Sequence, residues 1–228
     1  MPNQGDLKMA FCNTCGRDNE HHIVLSHQDD WSEVIAVHEA AGPVTIDGSE
    51  IREVLQCCGC RGTAYFHTSY FSEYTDFDGR PIPKIRRFPP KQERKFPEWI
   101  SSESYLKEGH FVNRLLQEVY SAISTDSFAV AAMGVRALIE LMMVEMVGDQ
   151  RTIGKNISKF EQEGYVGSKQ RKILFDTIEF GSAAIHRDFA PNKNEVLTAL
   201  DIAETIAKQI YAHSGDSAKL GKRAPKRR

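Results

Sequence analysis

The sequence has no apolar stretch that is both long and free of charge. Its longest, Phe128 to Val147, carries Arg136, Glu140 and Glu145, and one charge at a bilayer centre costs about 2.5–3.5 kcal/mol even on lenient scales. A buried core helix is expected there, not a membrane span. Residues 1–10 hold no apolar run with basic flanks, so no signal peptide is expected, and the expected compartment is the cytoplasm. Proline is scarce outside one stretch: Pro81, Pro83, Pro89, Pro90 and Pro97 are five of the nine. No internal repeat is found. Acids are missing from residues 219–228, where Lys219, Lys222, Arg223, Lys226, Arg227 and Arg228 stand. The net charge of −2 therefore conceals a more acidic body. A basic end on an acidic body can touch nucleic acid or an acidic partner, or can simply be solvated.

What is present fits two modest domains. The chain has 228 residues, 41% of them apolar and 26% charged, as in ordinary globular proteins. The prolines divide it near residues 81–100, because proline removes a backbone donor and disfavours helix in the residue before it. Before that division the pattern is strand-like: Ile23–Leu25 and Val34–Val37 are short apolar runs, and Ile51–Leu55 and Thr63–Tyr70 alternate. Gly42-Pro43 and Asp47-Gly48 read as turns. Short strands are expected throughout, burying so little that a staple is needed. After the division the periodicity is helical. Leu106, Val112, Leu115, Leu116, Val119 and Ile123 share one face. Asp126 or Ser127 should cap the apolar helix, Thr152 and Ser168 two more, and Asn192 with Glu195 has capping-box spacing before the last. The expected fold class is α+β. It comprises a small β-rich, zinc-ribbon-like module over 1–88, a proline-rich linker over 89–100, an all-α bundle of about five helices over 101–214, and a basic tail over 215–228.

The cysteines carry the strongest chemical signal. Cys12-Asn-Thr-Cys15 and Cys57-Cys58-Gly-Cys60 are two Cys-x-x-Cys pairs. A two-residue spacer lets both thiolates of a pair turn toward one ion, and Gly16 and Gly59 would permit the tight backbone turn. Cys12, Cys15, Cys57 and Cys60 are therefore expected to hold one structural Zn2+ in a closed four-sulfur site. Cys58 is the spare thiol or the replacement for Cys57. His21 and His22 are alternative ligands but read better as surface residues. A disulfide framework does not suit a cytosolic chain, and no βαβ setting supports a thioredoxin-like pair.

Three further features could carry function. Arg136 and Glu140 lie four apart on the most apolar helix and must pair if buried, in the core or at a dimer seam. His186 follows the small residues Gly181, Ser182, Ala183 and Ala184, which let another helix or subunit approach. It could act as general acid/base, or it could fix the helix end. His186-Arg187-Asp188 matches the triplet of a kinase catalytic loop, but the glycine-rich loop, strand lysine and Asp-Phe-Gly are missing.

The residues Val135-Arg136-Ala137-Leu138-Ile139-Glu140, the spacing of Ile157 to Gly164, and Gly181-Ser182-Ala183-Ala184-Ile185-His186 together resemble the bacterial domain of unknown function 4145 family. That family is grouped with HEPN-like helical domains and often begins with a cysteine-rich, zinc-ribbon-like segment. The resemblance covers most of residues 100–213 plus the cysteines. It implies a bundle that forms homodimers, without a membrane, in prokaryotic defence and restriction systems. Catalytic HEPN domains are metal-independent RNases with an arginine shortly upstream of the histidine. Here Glu179, Phe180 and Gly181 stand upstream and Ser182 replaces the usual asparagine. The implied function is a non-catalytic dimeric module binding RNA, DNA or a defence-system protein. Arg136, Glu140, Lys222, Arg223, Lys226, Arg227 and Arg228 are its candidate contacts. The alternative is an RNase using His186 with Arg187 or Arg136.

Overall fold

A computed structural model describes residues 5–38, 42–92, 94–101, 110–213 and 223. The chain divides into two compact units, Met1–Glu93 and Arg94–Arg228. The architecture is α+β, a five-stranded antiparallel sheet followed by helices.

The first unit is a meander in chain order: β1 Leu7–Cys12, β2 Arg17–His38, β3 Gly42–Cys57, β4 Thr63–Phe71 and β5 Lys84–Phe88. Two strands are far longer than the apolar runs predict, β2 with 22 residues and β3 with 16. The expectation of uniformly short strands fails because most of β2 and β3 pairs with each other while facing solvent, so no buried stripe marks its length. Asp47-Gly48 is not a turn but lies inside β3, opposite Ser32 and Trp31. Glycine makes room there: a Cβ on Gly48 would sit 2.3 Å from the Trp31 indole and displace it, and that indole lies across the strand and stacks on Phe71 at 6.1 Å. Part of the proline-rich stretch also belongs to the sheet, since β5 pairs with Tyr65–Ser69 of β4.

The buried apolar residues of this unit are few: Ile23, Leu55 and Ala64 beside Cys12 and Cys57. At about 1.5–3 kcal/mol for each large side chain, that core is too small to order the sheet alone.

The second unit has six helices among the described residues. They are α1 Glu98–Ser101, α2 Phe111–Ser124, α3 Phe128–Val147, α4 Ile153–Gln162, α5 Ser168–His186 and α6 Lys193–Ala207, the last running into a π-helical turn, Lys208–His213. Helix α3 is central. It buries Ala131, Ala132, Val135, Leu138, Ile139, Met142 and Met143 against α2, α4, α5 and α6. The Thr152 side chain accepts from the Lys155 N–H to start α4, and Asn192 with Glu195 forms the reciprocal box that starts α6. Ser168 is not the cap of α5. Gly167 is, with its N–H donating to Gln170. Ser127 precedes α3 without a capping bond from its side chain. Helix α1 falls inside the stretch read as a linker, because Ile100 is buried in the helical core with Phe96 and Trp99 against it. No helix among the described residues is long and apolar enough to cross a membrane.

Helix α5 meets α3 at Gly181, where a Cβ would lie 2.6 Å from the Arg136 Cβ and 2.7 Å from the Ala132 carbonyl oxygen. Backbone cannot yield as a side-chain tip can. Gly181→Ala is therefore expected to destabilise the helical unit by about 1–3 kcal/mol despite alanine's better helix propensity, read as a lowered midpoint in urea unfolding.

Candidate metal centre

Strand β2 lies between β1 and β3, so the β1–β2 and β3–β4 turns fall at the same end of the sheet. Each turn carries one Cys-x-x-Cys pair, and the two pairs use the same backbone device. The residue after the second cysteine adopts positive φ, Gly16 at 67° and Arg61 at 62°. Its N–H donates to the carbonyl of the first cysteine, Gly16 to Cys12 at 2.8 Å and Arg61 to Cys57 at 2.9 Å. The left-handed position of the second knuckle is thus Arg61, where Gly59 was expected. Gly59 has ordinary φ, and a Cβ there would make normal contacts with Asn19 and Cys15.

The sulfurs of Cys12, Cys15, Cys57 and Cys60 all lie within 4.8 Å of one another. Cys12 and Cys60 are 3.4 Å apart, and Cys15 and Cys57 are 3.9 Å apart. Metal–sulfur bonds of about 2.3 Å at tetrahedral angles separate sulfurs by about 3.8 Å, so the cage fits such an ion. All five cysteines are free thiols. Cys58 is exposed and outside the cluster, which makes Cys57 the fourth member. His21 is not the surface residue expected. It is buried, with Nδ1 2.9 Å from the Asn19 carbonyl oxygen, and lies outside the sulfur cage.

The local fields also suit a cation. The Cys60 and Gly59 N–H groups face the Cys57 sulfur and bring its thiol down to about 6 against the opposing effect of burial. The Gly62 N–H lowers Cys60, and the Asn19 amide points at Cys57 from 3.6 Å. Cys15 is pushed up to about 12, chiefly because its thiol bonds to the Cys60 sulfur. Four sulfurs so close cannot all ionise by themselves, and a bound cation removes that conflict.

The first knuckle also holds the chain that leaves the sheet. Asn13, between the paired cysteines, donates to the Pro90 carbonyl at 2.8 Å and accepts from the Gln92 N–H at 3.1 Å. Arg87 donates to the Phe11 carbonyl at 2.9 Å, and Lys91 lies 4.8 Å from the Phe11 ring centre. Arg94 begins the second unit. Burial opposes its charge, but Asp201, Tyr120 and Glu204 outweigh it and raise its pKa, with Asp201 and Glu204 each at 2.5 Å. Of the basic residues from Lys84 to Lys95, Arg87, Lys91 and Arg94 are thus engaged within the protein, while Lys84, Arg86 and Lys95 are exposed.

The remaining candidate residues are less assembled. Arg136 and Glu140 pair at 2.8 Å and remain partly exposed. His186 is exposed at the end of α5, and Arg187 is tied to Glu179 at 2.6 Å. Among the described residues, no hydrogen bond joins His186 to Arg136 or Arg187. Arg223 is exposed. Lys222, Lys226, Arg227 and Arg228 lie outside the described residues. Sequence reading missed a second polar cluster, in which Glu145 accepts from Tyr211 at 2.7 Å and sits 3.1 Å from His110 Nε2. Its members are 35 and 66 residues apart, so no local spacing announces it.

Fold and site define a two-unit α+β protein, a zinc-ribbon-like four-cysteine module followed by a helical bundle. Residues 117–225 match the family model described as Domain of unknown function (DUF4145). The match begins inside α2, takes in α3 to α6 and leaves the cysteine unit outside. It supports the family likeness seen in the helical half. No curated protein and no solved structure matches the chain.

Two outcomes follow from the cage. Cys57→Ser should abolish metal retention and broaden the thermal transition, whereas Cys58→Ser should leave metal content and melting unchanged, as read by elemental analysis and calorimetry. Because Asn13 pins Pro90 and Gln92, chelation should accelerate tryptic cleavage after Lys91 by about tenfold or more, the factor expected when a local opening costs about 1.4 kcal/mol less.

Proposed function

We propose that the protein is a non-catalytic binding module whose sheet unit is held by one structural Zn2+ and whose helical unit makes a homodimer. The observation that carries this reading is the closed sulfur cage. Four protein thiolates fill a tetrahedral ion and leave no position for substrate or activated water. Apparent binding free energies of about 10–16 kcal/mol for structural zinc exceed what Ile23, Leu55 and Ala64 can add by burial, so the ion's role is folding.

The state of the helical candidates supports the same reading. Arg136 is occupied by Glu140 and Arg187 by Glu179, so neither of these guanidiniums stands free to meet a phosphorane at His186. The HEPN-like likeness and the defence-system setting belong to this proposal through the family resemblance alone. The partner favoured is a protein, since Arg87, Lys91 and Arg94 are engaged with Phe11, Asn13, Pro89, Asp201 and Glu204, which leaves a shorter basic set, Lys84, Arg86 and Lys95, at the surface for a phosphate backbone.

Incubated with a mixed RNA pool, the purified dimer should leave it intact, and His186→Ala should change nothing. RNA or DNA binding should be weak, steeply salt-dependent and lost on removing residues 219–228. Cleavage that disappears in His186→Ala would establish the RNase reading instead.

A further inference from the structure

Among the described residues, strand β2 runs most of its length without a neighbour on its outer side. Strand β1 covers Arg17–His22, and among the described residues no strand pairs that side beyond Ile23. Such edges are normally guarded by lysine, proline or a bulge, because their free N–H and C=O groups template pairing with another chain. Between Leu25 and Val34 there is no lysine or proline, and the register against β3 is unbroken. The irregularities fall at either end, at Ile23/Leu25 and Val34/Ala36. The open segment is about 30 Å long at the usual rise per residue.

Its side chains include exposed apolar and acidic groups beside Ser26, His27, Gln28 and Ser32. Leu25 is 59% exposed, Val34 56% and Trp31 41%. From Asp18 to Ile51 the sequence holds eight carboxylates and no lysine or arginine. Alternation puts Leu25, Asp29, Trp31 and Glu33 on one face and Asp30, Ser32 and Val34 on the other. On the second face Asp30 borders a cavity of about 510 Å³ that Ser32, Asp47, Ser49, Tyr70 and Ser72 help to line, and its charged lining is acidic alone. Hydrogen bonds from Gln28 and Ser49 hold the Asp30 carboxyl below the usual range, so it is ionised at neutral pH. Two copies of this edge would oppose acid to acid, which destabilises a strand pair.

We propose that the outer edge of β2 from Leu25 to Val34 docks an extended, basic segment of a partner protein, which adds as a further strand of the sheet. The partner backbone satisfies the free edge groups. Apolar side chains on one face cover Leu25 and Trp31, and a lysine or arginine on the other enters the cavity at Asp30 and Asp47. The inference rests on the binding-module reading and narrows it to one edge and one partner chemistry.

The test uses the full chain and a labelled ten-residue peptide of alternating valine and lysine, followed by fluorescence anisotropy. Replacing the lysines by glutamates, or N-methylating every peptide nitrogen while keeping the charge, should each weaken binding by about tenfold or more. Ser32→Pro should abolish binding with the metal content unchanged. Glu33→Lys, a substitution at an exposed site, should weaken it by about tenfold if the proline variant does not fold. No binding at millimolar peptide, equal binding of the N-methylated peptide, or indifference to Glu33→Lys overturns the proposal. So does about tenfold tighter binding after deletion of residues 219–228, which would make the chain's own basic segment the occupant. RNase activity would remove the module reading without altering these affinities, and failure of the peptide leaves that reading standing on the sulfur cage.

Discussion

The convergence of four sulfurs at one end of the sheet is the interaction on which the first unit depends. It joins two hairpin turns that come from opposite sides of β2. Each turn is preformed by a left-handed residue and a backbone hydrogen bond, so the sulfurs arrive oriented. The N–H groups of Cys60, Gly59 and Gly62 then favour thiolate at Cys57 and Cys60. A unit with so small an apolar core can carry a long, solvent-facing hairpin only because its base is secured elsewhere. The same knuckle reaches beyond the sheet, since Asn13 and Phe11 hold the segment from Arg87 to Gln92.

The second unit is stabilised differently. Helix α3 is apolar on nearly all sides and forms the centre of the core, with α5 brought close by the missing side chain at Gly181. Polar groups act at the rim. Arg94 gathers Tyr120, Asp201 and Glu204, and Glu145 gathers His110 and Tyr211. Burial and the adjacent Glu204 and Glu145 raise the Tyr120 and Tyr211 hydroxyls well above the usual range, which keeps both as hydrogen-bond donors. These ties fix ends and crossings of helices. Among the described residues, none of these bonds reaches His186, the histidine with the best chemical credentials in the sequence.

Charge is distributed with a logic that the net figure conceals. Among the basic residues after β4, Arg87, Lys91 and Arg94 are used inside the protein, on carbonyls, aromatic rings and carboxylates. The acidic residues of the hairpin are mostly left at its surface, with Asp29 and Glu50 joined through Arg52. An acidic, unguarded strand edge discourages pairing with its own copy while leaving the backbone open to a cationic chain.

The α+β order of the two halves, the apolar central helix, the capping box at Asn192 and the four-cysteine set were all legible in the sequence. Each is a local pattern, read from period, cap spacing or the Cys-x-x-Cys spacer. Even the choice between Cys57 and Cys58 leaned the right way, because a two-residue spacer is what one ion requires. The extent of β2 and β3 was not legible, since two strands that pair in solvent need no apolar alternation. Nor was the role of Arg61, which adopts a conformation that sequence rules reserve for glycine. The uses of Arg87, Arg94, Asn13 and Glu145 were equally hidden, because their partners lie tens of residues away. By itself the sequence determined which residues could share an ion and which helix would be buried. The tertiary structure alone decided which charges are paired, which cysteine stays outside the sulfur cage and, among the described residues, which strand edge stays open, because these depend on neighbours that only folding supplies.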